Sequence, residues 1–102
     1  MPRVRAVNCH SIARDIAIEL VKIPYTDTAY EQVPEIFAKH VADVKDRDDR
    51  YEIFRLLDER PGLFTSSSGG YAYGTGHVLL RQCRNRPDPH GRRLFAVINR
   101  EA

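Results

Sequence analysis

The chain of 102 residues contains little cysteine and no long run of apolar residues. Two cysteines, Cys9 and Cys83, are too few for a disulfide framework, and they predict reduced thiols in a cytoplasmic protein. No run approaches the roughly 18 apolar residues of a membrane span. No apolar segment of signal-peptide length follows the basic residues at the start of the sequence before Arg14. These absences argue against a disulfide-stabilised or membrane-spanning protein, and we expect no membrane partner.

The sequence also lacks the spacing of familiar metal and nucleotide motifs. Its four histidines form no HxxxH pair, and its cysteines form no CxxC pair. GxG patterns occur after residue 69, but the strand, helix and Lys-Ser/Thr pair of a phosphate loop are missing. We therefore expect no cofactor, no metal and no enzyme activity. A zinc site requires the fold to bring together Cys9, His10, Cys83 and either His77 or His90.

The small net charge of +2 hides an uneven distribution of charge. Residues 26–60 carry six basic and ten acidic side chains, a balance of −4. Residues 61–102 carry six arginines and two acidic side chains, a balance of +4. Thirteen of the sixteen basic residues are arginine, which a GC-rich genome explains and which also suits contacts to phosphates and base edges. The carboxyl-terminal segment is therefore the expected contact surface for an anionic partner.

Three segments have the apolar spacing of amphipathic helices, and we predict helices at about 10–23, 28–44 and 48–60. The first stops before Pro24, and the third stops before the Pro-Gly pair at 61–62. Pro34 leaves two interpretations of the second segment open. Either one helix is kinked near this residue, or a turn is followed by a helix that starts there.

The pattern changes after a Ser- and Gly-rich stretch, which predicts a flexible loop at 65–70. Residues 77–83 and 94–99 have the composition of two strands. The ten residues between them, rich in arginine, proline and glycine, predict a long basic turn. The expected fold is a single domain over 1–102 of class α+β, mainly helical, with three helices followed by an antiparallel β-hairpin at about 77–99.

This order of elements is that of a winged helix-turn-helix domain, in which the third helix enters the major groove and the hairpin contacts the flanking backbone. The stretch 51–64, YEIFRLLDERPGLF, resembles the recognition helix and exit of MarR- and PadR-type regulators. Residues 88–93, Asp-Pro-His-Gly-Arg-Arg, resemble the Asp-Pro-x-x-Arg-Arg wing phrase of that group. The resemblance implies a transcriptional regulator that binds double-stranded DNA and forms a homodimer.

Two groups of arginines are the candidate DNA-binding residues. Those of the third helix are expected to reach guanine edges or phosphates: Arg47, Arg50 and Arg55. Those of the hairpin are expected to contact phosphates or a narrow minor groove: Arg84, Arg86, Arg92 and Arg93. On this interpretation the function is binding without catalysis.

Two other functions stay open at this point. A small protein-interaction module or inhibitor, of phage or toxin–antitoxin type, would pair its acidic 43–59 stretch or its basic hairpin with a protein of opposite charge. A small ribonuclease would use His77 and His90 as an acid–base pair, with neighbouring arginines holding the phosphate.

Overall fold

The computed structural model describes residues 8–24, 26–59, 78–86 and 89–99. The helices in these ranges are α1 (Cys9–Val21), α2 (Val33–His40), α3 (Arg47–Glu59), α4 (78–84) and α5 (His90–Asn99). A short 3-10 turn, Ala29–Gln32, precedes α2. The described ranges contain no β-strand, so this part of the protein is all-helical.

Side-chain caps explain where α1 and α3 begin. The carboxamide oxygen of Asn8 accepts a hydrogen bond from the Ser11 backbone N–H at 2.9 Å, which satisfies a free donor of the first turn of α1. The carboxylate of Asp46 accepts from the Asp48 N–H at 2.8 Å at the start of α3. Both helices begin one residue before the predicted position.

Pro34 lies in the first turn of α2, immediately after the 3-10 turn. Proline fits the first positions of a helix because its missing N–H has no intrahelical partner there. The structure therefore has a turn followed by a helix rather than one kinked helix. This helix ends at His40, where sequence analysis extended it to about 44, and a turn with a Val44 N–H to Val41 carbonyl bond of 2.9 Å follows.

The predicted β-hairpin at 77–99 is wrong, because its described residues form α4 and α5. The α+β class and the winged-helix architecture fail with it. The buried residues of these helices recur at helical spacing: Leu79, Leu80 and Cys83 in α4, and Gly91, Leu94 and Ile98 in α5. The predicted loop at 65–70 and His77 lie outside the described residues.

Helix α3, the predicted recognition helix, contributes to the core of the described fold. It packs against α1 and α5, while α2 also packs against α1 and α5. Five of its residues are buried: Ile53, Phe54, Leu56, Leu57 and Asp58. The surrounding helices supply the largest fully buried side chains of the core: Ile16, Leu20, Phe37, Leu79, Leu80, Leu94 and Ile98. Much of the surface of α3 is thereby covered by protein.

None of the helices in the described ranges has the length and apolar character needed to cross a lipid bilayer.

Candidate functional site

The Arg50 guanidinium has a structural role, because it donates hydrogen bonds to backbone carbonyls outside α3. Its Nε donates to the Val44 carbonyl at 2.8 Å, its Nη1 to the Val97 carbonyl at 2.7 Å and its Nη2 to the Val41 carbonyl at 2.9 Å. These bonds join α3 to the chain after α2 and to the last turn of α5. The predicted nucleic-acid contact at Arg50 would have to compete with them.

The other two candidate arginines of α3 have surroundings that differ from those of Arg50. Arg47 is exposed at the first residue of the helix. Arg55 forms two hydrogen bonds to the Glu52 carboxylate, at 3.0 and 2.9 Å, and lies 3.5 Å from a Glu59 oxygen. The Glu52 carboxylate, followed by Glu59, raises the pKa of Arg55 above its ordinary value. The charge of Arg55 is thus balanced by acids of its own helix.

Three of the four candidate arginines near the carboxyl-terminal end meet in one open cleft between α4 and α5. The cleft has a volume of about 380 Å³. It is lined by Arg84, Arg86, Gly91, Arg92, Phe95, Ala96 and Asn99. The predicted basic hairpin tip does not exist, but Arg84, Arg86 and Arg92 converge nevertheless.

One face of α5 provides most of the cleft. Arg92, Phe95, Ala96 and Asn99 follow the i, i+3, i+4, i+7 spacing that places residues on one side of a helix. Arg92 and Asn99 are exposed, whereas Phe95 and Ala96 are half-buried. This face therefore runs from a cationic end to an amide end across an apolar centre.

Arg84 is anchored by a buried acid of α3. Its Nη1 lies 2.5 Å from Oδ2 of Asp58, and its Nε lies 3.3 Å from the Asn85 carboxamide oxygen. Asp58 is buried, and its other carboxylate oxygen has no hydrogen-bond partner among the described residues, with the Arg81 Nε at 4.0 Å. The pair fixes the position of Arg84 and compensates its charge.

Arg86 is placed by an aromatic ring. Its guanidinium carbon lies 4.1 Å from the centre of the Tyr30 ring, which is the geometry of a cation–π contact. The Tyr30 ring also meets His90 edge-on, with ring centres 5.5 Å apart. Arg86 is exposed on its outer side, so Tyr30 supports a cation that solvent can reach.

Gly91 allows α4 and α5 to meet closely at the cleft. A Cβ atom at this position would lie 1.8 Å from the Arg86 carbonyl oxygen and 3.1 Å from the Cys83 carbonyl oxygen. Only glycine leaves room for these backbone atoms. The sequence assigned Gly91 to a turn, whereas the structure uses it for packing.

The charge balance around the cleft distinguishes its arginines. In the described part of the chain, no carboxylate lies within 4.0 Å of the Arg86 or Arg92 guanidinium, whereas Arg84 is paired with Asp58. Arg93, the fourth candidate, does not line the cleft, and it lies 3.7 Å from the Glu35 carboxylate on α2. Among the described residues, Arg86 and Arg92 are therefore the cleft arginines without a carboxylate partner.

Three residues considered above for a zinc site or for RNA cleavage make other contacts in the structure: Cys9, Cys83 and His90. Cys9 donates to the Asp49 carbonyl, and Cys83 is buried, which raises the pKa of its thiol to about 11. No cluster of metal ligands occurs in the described ranges. His90 packs on Tyr30, and its Nδ1 is buried with no hydrogen-bond partner there.

Sequence reasoning missed Phe95, Asn99, Tyr30 and Asp58 as parts of this site. Sequence analysis assigned Phe95 and Asn99 to a strand, and the alternating pattern of a strand gave neither residue a functional role. Arg92, Phe95 and Asn99 nevertheless have helical spacing, which could have indicated a shared face. The pairing of Asp58 with Arg84 spans 26 residues, and no local pattern reveals it.

No family model matches this chain, and no curated protein or solved structure matches it.

Proposed function

We propose that this chain binds the phosphate backbone of nucleic acid in the cleft between α4 and α5. The observation that carries the proposal is the presence of two exposed arginines, Arg86 and Arg92, without carboxylate partners among the described residues, together with Arg84 in the same cleft. Guanidinium groups bind phosphate oxygens in bidentate fashion, and phosphate contacts supply most of the affinity of non-specific nucleic-acid binding.

The position of Arg92 supports an anionic ligand. It lies in the first turn of α5 (His90–Asn99), where the positive end of the helix dipole disfavours a cation by about 0.3–1 kcal/mol. Arg93 follows it directly. A bound phosphate would be stabilised both by the Arg92 guanidinium and by the helix dipole. The arrangement of Arg92 at this helix end is therefore most stable when an anion is bound.

The proposal gives α3 a supporting role. Arg50 holds backbone carbonyls, Arg55 is paired with Glu52 and Glu59, and Asp58 anchors Arg84. Acids on α3 would also repel a phosphate backbone. Helix α3 therefore positions the cleft, and the contacts to phosphate come from the end of α4 and from α5.

The test is a salt titration of binding to a fluorescently labelled duplex DNA, followed by anisotropy. Each phosphate contact contributes about −0.9 to the slope of log affinity against log salt concentration for a duplex. Arg86→Ala/Arg92→Ala should therefore reduce the magnitude of the slope by about 2 and weaken binding at low salt. Arg14→Ala/Lys22→Ala removes the same charge from exposed positions of the α1 region and serves as the matched control.

Equal slopes for the two double variants would refute the cleft as the phosphate site. A second arm uses polyglutamate in place of DNA, because an acidic protein partner would satisfy the same arginines. Binding of polyglutamate that equals the binding of DNA at matched charge would favour a protein-interaction module over a nucleic-acid-binding protein.

A further inference from the structure

The cleft contains side chains that phosphate binding does not require. Besides its arginines it presents the ring of Phe95 and the side-chain amide of Asn99. Its volume of about 380 Å³ is within the 300–1,000 Å³ typical of small-ligand sites. A phosphate group needs only cations and N–H donors. An apolar ring and an amide beside them fit a ligand that joins a phosphate to a planar, hydrogen-bonding group.

The core fixes the orientation of the Phe95 ring. It meets Phe54 of α3 edge-on, with ring centres 5.6 Å apart and an angle of 65° between the ring planes. Phe54 is itself buried. Since this contact orders Phe95 before any ligand arrives, a flat group could stack on it with little further loss of side-chain entropy.

The spacing along α5 fits the parts of one nucleotide. Phe95 lies three residues after Arg92, and Asn99 lies four residues after Phe95, so each step is about one helical turn, or about 5 Å along the axis. A phosphate at Arg92 places the attached base near Phe95. The Asn99 amide then lies where it can donate to and accept from the edge of that base.

We propose that the α4–α5 cleft seats one unpaired base of a single-stranded nucleic acid on Phe95, with the adjoining phosphates held by Arg86 and Arg92. This inference rests on the proposed function and specifies the form of nucleic acid. Bases in a duplex are stacked on each other and cannot enter the cleft, whereas bases of a single strand are free to stack on an aromatic side chain.

The first measurement compares a single-stranded oligonucleotide with a duplex that carries the same number of phosphates, by anisotropy at fixed salt. Removal of a base–aromatic contact costs about 1–3 kcal/mol, which is about a 5- to 150-fold loss of affinity. Phe95→Leu keeps an apolar side chain in the core and removes the ring. It should weaken single-strand binding by such a factor and leave duplex binding nearly unchanged.

Tyr51→Leu is the matched control, because Tyr51 is an exposed aromatic residue on α3 and does not line the cleft. This variant should bind both oligonucleotides as the unmodified protein does. Far-ultraviolet circular dichroism and urea unfolding establish that Phe95→Leu is folded. Asn99→Ala, at an exposed position, provides a second variant that leaves the core intact and should change preference among bases at constant salt slope.

The second measurement reports stacking directly. 2-Aminopurine in the single strand loses fluorescence when its base stacks, so the unmodified protein and Tyr51→Leu should quench it at saturation, and Phe95→Leu should not. Equal single-strand and duplex affinity together with equal quenching by Phe95→Leu would overturn the base site and leave phosphate binding standing. Failure to bind either oligonucleotide would instead refute the proposed function.

Discussion

Arg50 joins three parts of the chain through one guanidinium, and its replacement by alanine tests whether that role dominates. Its acceptors among the described residues include the carbonyls of Val41, Val44 and Val97. The Val97 carbonyl is among the last four of α5, which lack intrahelical partners. A cation at this end of a helix is also favoured by the helix dipole. Arg50→Ala therefore removes a hydrogen-bonded tie between α2, α3 and α5.

The expected loss follows from the number and kind of these bonds. A hydrogen bond to a charged group contributes about 1.5–3 kcal/mol net when it is shielded from water. Arg50 is half-buried, so water can replace part of each bond, and we take about 1 kcal/mol for each. The three bonds then give a loss of about 3 kcal/mol. For a domain of this size that loss lowers the melting temperature by about 12 °C or more.

The assay is urea unfolding followed by circular dichroism, with thermal unfolding as a second readout. Arg50→Lys should lose nearly as much as Arg50→Ala, because one ammonium group cannot reach three carbonyls in different directions. Arg47→Ala, at an exposed position one turn earlier, is the control and should change the unfolding free energy by less than about 0.5 kcal/mol. A loss below about 1 kcal/mol for Arg50→Ala would refute the reasoning. Weaker DNA binding by such a stable variant would instead support the contact that sequence analysis predicted.

Two further predictions concern packing and charge. Gly91→Ala should lower the free energy of unfolding in urea by about 1 kcal/mol or more. The reason is that overpacking against the Arg86 carbonyl oxygen exceeds the helix-propensity gain of about 1 kcal/mol. Greater stability of the variant would contradict the close approach of α4 and α5. Hydrogen bonds from Lys39 and then His40 lower the pKa of Glu19 below its ordinary value, so this carboxylate stabilises the fold above the ordinary pKa and the contribution is lost as the pH falls through the lowered pKa. Glu19→Gln should thus reduce the urea midpoint at about pH 6, and this difference from the unmodified protein should shrink as the pH falls through the lowered pKa, whereas a difference that stays constant with pH would refute the assignment.

The helices α1 and α3 could be predicted from sequence because local rules agree on them. Each combines apolar spacing with a polar cap and a nearby stop, and the observed ends lie within two residues of the predicted ones. α2 was harder, because Pro34 is compatible both with a kink and with a first turn. The structure distinguishes these possibilities, because Pro34 lies in the first turn of α2 directly after the 3-10 turn Ala29–Gln32.

The carboxyl-terminal helices were misassigned because composition and spacing disagreed. The segment LFAVIN in α5 is rich in β-branched and aromatic residues, which favour strands. Its fully buried positions, Leu94 and Ile98, are nevertheless four residues apart, as in a helix. Short apolar runs of this kind fit either structure. Packing of α5 against α2 and α3 selects the helix, and that packing involves residues far away in the sequence.

The error in secondary structure left the proposed location of the site nearly unchanged, for a physical reason. Charge distribution does not depend on whether a segment is helical or extended, so the excess of arginine after residue 61 indicated the end of the molecule where the proposed site lies. Which arginines act together does depend on the fold. A hairpin tip would group Arg92 with Arg93, whereas the helix separates them: Arg92 faces the cleft and Arg93 lies beside Glu35. Helical geometry also places Phe95 beside Arg92, and this pairing distinguishes the proposed base site from a simple patch of positive charge.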